Sequence, residues 1–159
     1  MRALFASFIL LFATSCAPDS SEGKHERLEM RLSGWSSLDV VIDAEGNGTY
    51  KDGVPHPDGT KGGFKLTRVE LLELLAKLQL YRKQAVPFSE ENAMRRFIEQ
   101  VCPKGVPEVA DAGAFYVRWQ SADDDVHYLA DFGCDHERLA DRNGELREIV
   151  EGLPIPSVR

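Results

Sequence analysis

Cys102 and Cys134 are the side chains of this sequence best suited to chemistry, with His127 and His136 close to the second of them. In an oxidising compartment, an even cysteine pair in a secreted domain forms a disulfide. Closing a loop of about 33 residues stabilises a fold by about 3.5–4 kcal/mol in the chain-entropy model. The alternative is a soft-metal site for zinc or copper made of Cys102, His127, Cys134 and His136, using the Cys-X-His spacing at 134–136. Against it, His127 and Cys134 have opposite parity and point to opposite faces if both lie on one strand. A second constellation consists of Tyr116, Arg118, Gln120, His127 and Asp131, which share one face of a pair of alternating segments. It could bind a carboxylate or a peptide, with Arg118 as a fork, or be a solvated face whose opposite charges pair across strands. Asp123, Asp124 and Asp125 read as a solvated turn or a weak cation site.

Other motifs lack a necessary part. Gly46-Asn47-Gly48 opens like a dinucleotide loop, but Lys51 stands where the third glycine belongs. Asp43, Glu45 and Asn47 imitate the start of a calcium loop, yet its twelfth position is Val54 and the bidentate carboxylate is missing. His25-Glu26 and His136-Glu137 each resemble half of a zinc-protease motif, with Glu29 and Ala140 in place of the second histidine. The sequence holds no nucleophile elbow, Walker loop or paired CxxC, so it supplies no assembled catalytic set.

The third cysteine, Cys16, has a different setting. Arg2 gives a positive start, Ala3 to Phe12 is almost wholly apolar, and Ala13, Thr14 and Ser15 are small. That is the pattern of a secretory signal, too short for a stable membrane span. The quartet ATSC resembles the bacterial lipoprotein signal, with Ala13 where leucine is commonest. The resemblance implies cleavage before Cys16, thioether lipidation of its sulfur and acylation of the new amino terminus. Multiple acyl chains anchor durably where one alone binds reversibly. An ordinary cleaved signal, with Cys16 there by chance, is the competing reading. Ala17 to Glu26 holds Pro, Ser, Gly and charged residues, as a flexible tether should. Ala rather than Asp at position 17 points to the periplasmic face of the outer membrane, if sorting follows the enteric rule. The resulting division is a signal over 1–15, a tether over 16–26 and one domain over 27–159.

The domain must position the remaining candidates. With 43% hydrophobic and 9% aromatic residues among 159, the chain can bury a core. Its net charge of −7, with no run of Lys or Arg, disfavours a nucleic-acid partner. Leu28, Met30 and Leu32 alternate as in a half-buried strand, and Leu38–Asp43 and Thr49–Lys51 flank a Gly/Asn turn as a hairpin. Asp52 to Gly63 is rich in Gly and Pro and reads as a loop, with a short strand at 63–66. Thr67 and Glu70 have capping-box spacing, predicting a helix from Arg68 to about Leu80 with Leu71, Leu72, Leu75 and Leu78 inward. A second helix begins after Ser89 as N-cap and ends before Cys102-Pro103; residues 103–113 read as a loop. Phe115, Val117 and Trp119, then Val126, Tyr128, Ala130 and Phe132, form a second hairpin with one apolar face. A last helix carries Leu146, Ile149, Val150 and Leu153.

Hairpins interleaved with amphipathic helices predict a two-layer α+β domain, an antiparallel sheet with about three helices on one face. The DAEGNGTY hairpin, the Gly-rich link into the Leu-rich helix and the FYVRWQ/VHYLADF hairpin resemble a family of small bacterial envelope domains of unknown function. The resemblance spans roughly residues 27 to 155 and implies no catalytic residues. SGWSSLD stands where such domains often have a cysteine pair. The expected role is a lipid-anchored, non-catalytic binding or scaffolding module of the cell envelope, needing no cofactor. It would reach the membrane through its lipid and meet an envelope protein or ligand through Tyr116, Arg118 and His127. A metal-binding protein using the Cys/His set and an enzyme of unrecognised geometry are the alternatives.

Overall fold

Alternating apolar and polar side chains build most of the sheet. In the computed structural model, residues 26–34, 37–53 and 60–156 are described; Cys16, the signal, nearly all of the tether and much of the 52–63 loop lie outside them. Seven strands, β1 (Arg27–Ser33), β2 (Leu38–Ile42), β3 (Asn47–Asp52), β4 (Lys61–Lys65), β5 (Val86–Pro87), β6 (Ala114–Gln120) and β7 (Asp125–Asp131), form one antiparallel sheet. Their order is β4-β3-β2-β1-β6-β7-β5. Three helices, α1 (Arg68–Arg82), α2 (Ala93–Val101) and α3 (Ala140–Glu151), complete an α+β fold.

Sequential hairpins account for every pairing except two. β1 pairs with β6 over a long stretch of sequence, from Arg27 opposite Gln120 to Ser33 opposite Ala114. β5 closes the far edge, Val86 opposite His127 and Pro87 opposite Val126. Leu28, Met30, Val40, Ile42, Phe115, Val117, Trp119, Tyr128 and Ala130 bury on one face, together with Leu74, Leu78 and Tyr81 of α1 and Leu146, Ile149 and Val150 of α3. Tyr81 of α1 and Phe97 of α2 both pack on the Tyr128 ring, at 5.3 and 5.4 Å between centroids. At the seam between β1 and β6, Gly113 has φ +84, and a Cβ there would lie 2.0 Å from the Ser33 carbonyl oxygen. Only glycine lets the chain approach that closely.

Helix α1 begins as expected. The Thr67 hydroxyl accepts from the Glu70 amide while the Glu70 carboxylate accepts from the Thr67 amide, a complete capping box. Its inward stripe differs from the sequence reading. Leu74, Leu78 and Tyr81 are buried, whereas Leu72 is exposed. Leucines occupy so much of this helix that apolarity alone cannot say which stripe faces the sheet. The second correction concerns α2, whose N-cap is Asn92 rather than Ser89. Asn92 has φ 65 and makes no side-chain cap bond. Asparagine tolerates the left-handed region that stops the preceding turn from running on as helix.

These caps make a direct comparison. Thr67→Ala should lower unfolding stability by about 1 kcal/mol, while Ser89→Ala should change it by less than about 0.5 kcal/mol, both measured by urea denaturation.

Candidate functional site

The alternation that buries Phe115, Val117 and Trp119 turns Tyr116 and Arg118 to the opposite face, and the register sets His127 directly across from Arg118. Glu29 of β1 lies across from Arg118 on its other side. All three sequence-derived contact residues therefore share one face of the sheet, away from the helices. They are half-buried, and a depression of about 360 Å³ opens beside them, lined by Glu29, Arg31, Ser33, Ala114, Tyr116 and Leu129.

Arg118 does not hold its fork open for a ligand. Its Nε and one terminal nitrogen each donate to Asp125 at 2.7 Å, a bidentate pair. The other terminal nitrogen approaches Glu29 at 4.0 Å. The guanidinium carbon also lies over the Phe88 ring, 3.4 Å from its centroid. Of the two readings of this face, cross-strand pairing describes Arg118. The hydrogen bonds from Arg118 hold the Asp125 carboxyl below the usual carboxylate range.

His127 sits between aromatic partners. Its Nδ1 is 3.3 Å from the Tyr116 hydroxyl, and the Phe88 ring meets it edge-on at 5.1 Å. Burial, reinforced by the Arg118 charge and opposed by Asp125, lowers its pKa from the ordinary 6.5. Burial likewise raises the Tyr116 phenol. Gln120 accepts a hydrogen bond from Arg27 and its side chain also hydrogen-bonds the Asp125 carboxyl across the hairpin, whereas Asp131 accepts from the Gly133 amide, apart from the cluster.

Asp125, read from sequence only as part of a turn, completes the face together with Phe88 and Leu129, which were not singled out from sequence. Phe88 reaches it because β5 adds to the sheet edge and its amide donates to the Asp125 carbonyl at 2.9 Å. A two-residue strand has no periodicity to read. Leu129 has the parity of His127 and could have been found from that alone.

The cysteines belong to a different place. Cys102 and Cys134 lie at disulfide distance, with sulfurs 2.09 Å and Cα atoms 5.8 Å apart. Cys102 caps the end of α2. Cys134 lies beyond β7, where it bridges to Glu108 instead of continuing the strand as its parity suggested. The loop before β6 is stitched there as well, since the Val109 amide donates to Gly133 and the Asp135 amide to Pro107. His127 is on the other face and His136 is exposed. Among the described residues, no three His, Cys, Asp or Glu side chains are grouped to hold a metal ion.

The calcium-like segment is a hairpin turn. Asp43 Oδ1 accepts from the Glu45 and Asn47 amides, its Oδ2 accepts from the Asn47 side chain, and Lys65 donates to Asn47 Oδ1. Gly46, at φ 81, makes the turn possible. The Asp124 carboxylate in the aspartate run accepts from Arg82, as Asp125 does from Arg118.

No family model matches the chain, and no curated protein matches it. No helix among the described residues is long and apolar enough to cross a membrane.

The His127 environment gives a pH signature. A histidine whose folded pKa lies below its unfolded value binds fewer protons when folded, so stability rises with pH through that window. Stability should therefore fall as pH drops through 6.5, and His127→Gln should flatten this part of the curve. Urea midpoints measured on both sides of that pH check it; an unchanged slope in the variant contradicts it.

Proposed function

We propose that this chain is a lipid-anchored cell-envelope protein that works by binding or scaffolding, through the sheet face that the described helices leave uncovered. The observation that carries the contact reading is a depression on that face lined by Tyr116 and Leu129, with Tyr116 continuing into His127 and Phe88 beside it. Phe88 is 43% exposed. With Arg118 neutralised by Asp125, a partner meets Tyr116 and Leu129 bordered by Glu29 and Arg31, with Phe88 and the fixed Arg118 cation to one side. Aromatic side chains in such settings dominate binding energy at interfaces. The reading assigns contact and no reaction.

The anchoring half rests on the first sixteen residues. The positive start, the apolar stretch, ATSC and the polar spacer after Cys16 support a lipid on that cysteine and a place on the periplasmic side of the outer membrane. An oxidising envelope also suits a disulfide between Cys102 and Cys134.

Each half has its own test. Labelled fatty acid should enter the wild-type protein and not Cys16→Ser, and equal labelling of both removes the anchor. For the contact, a photoreactive residue at Tyr116 should give one discrete adduct in living cells. Leu129→Asp should reduce that adduct at least tenfold while the chain stays folded. An undiminished adduct puts the contact elsewhere. Turnover of an envelope substrate by the purified protein, abolished by one substitution on this face, rejects the binding-only reading.

A further inference from the structure

Helix α1 carries a second apolar stripe on the side away from the sheet. Val69, Leu72 and Leu80 are 64, 54 and 59% exposed, and the exposed Ala76 continues the line between Leu72 and Leu80. These positions recur at helical spacing and share one face, opposite buried Leu74, Leu78 and Tyr81. Three large apolar side chains aligned on one exposed helix face are more than scattered surface residues.

We infer that this stripe is a self-association face, on which α1 packs antiparallel against α1 of a second copy. The residue pattern is self-complementary to within one residue of a single antiparallel register. With the helices antiparallel, Val69 falls opposite the second copy's Leu80, and Leu72 falls opposite its small Ala76, which lets the helices approach closely. Glu73, bordering the stripe, is then offset by one to two residues from the second copy's Lys77, within reach of these long side chains, and the two-fold axis repeats the pair. Glu73 and Lys77 are both exposed and one turn apart on the same flank. Arg68 and Lys83 border the opposite flank near its ends, where like charges are well solvated. A lipid surface fits less well, because Glu70 and Glu73 lie along the helix and the chain is net acidic. The patch is small beside the about 800 Å² per partner of a standard interface, so the dimer is weak and concentration-dependent.

Sedimentation equilibrium of the full chain in density-matched detergent tests this directly. The wild type should show a reversible monomer–dimer equilibrium, and so should Cys16→Ser, since the contact does not depend on the anchor. Leu72→Asp should weaken association at least tenfold without lowering the melting temperature, because Leu72 is already exposed. Glu73→Lys should weaken it about threefold or more, and Glu73→Lys combined with Lys77→Glu should restore it. A mixture of the two single variants should associate better than either alone. A wild type that remains monomeric, or a dimer indifferent to Leu72→Asp, overturns the inference. Failure of the charge swap to restore association overturns the antiparallel register. Binding to anionic vesicles that Leu72→Asp abolishes, in a chain that stays monomeric, gives the stripe to a lipid surface instead.

Discussion

Trp119 is 1% exposed near the end of β6, in line along the strand with Val117 and Phe115, both fully buried. Side chains on a strand alternate, so burying these three leaves Tyr116 and Arg118 no choice but the other face. The pairing of β6 with β1 and β7 extends the choice across the sheet, placing Glu29 and His127 beside Arg118. A slip of one residue would drive a guanidinium into the core and expose a tryptophan, a cost no local rearrangement could offset. The candidate face is thus a consequence of the core. Its geometry is held by the apolar side chains behind it.

Helix attachments reinforce that one-sided arrangement with polar ties. The Tyr81 hydroxyl of α1 donates to Glu145 of α3 at 2.9 Å. Asn143, the one polar residue among the buried side chains described, donates from α3 to the Phe132 carbonyl at the end of β7. Cys102 and Cys134 bring the end of α2 to the segment that follows β7, and the loop before β6 is threaded through the same place. The Tyr81–Glu145 and Cys102–Cys134 ties join segments distant in sequence, and Asn143 ties α3 to the end of the strand just before it. Together they fix the helical layer to the strands whose outer side carries Tyr116 and His127.

What the sequence made legible was local. The DAEGNGTY turn, the Thr67/Glu70 capping box and the apolar alternation of β6 and β7 are each encoded within a few residues, and each is present. The distant features were not legible in the same way. Pairing of β1 with β6 joins strands separated in sequence by four other strands and two helices, and β5 has only two residues. Phe88 therefore could not be placed against Arg118 from spacing. Nor could the inward side of α1, where Leu71, Leu72, Leu74, Leu75, Leu78 and Leu80 offer apolar residues nearly all round. Arg118 was visible as a fork, but the carboxylate filling it comes from across the hairpin, and an aspartate run beside a turn does not announce which member pairs.

The central claim is that the uncovered sheet face is where this protein meets its partner. Carbene footprinting of the full chain in intact cells, compared with the purified chain, examines that face directly. The account predicts that Phe88, Tyr116 and Leu129 are labelled in the purified protein and protected in cells, while exposed Val109 is labelled alike in both. Equal labelling of Phe88, Tyr116 and Leu129 in the two states, with protection elsewhere on the domain, would contradict it.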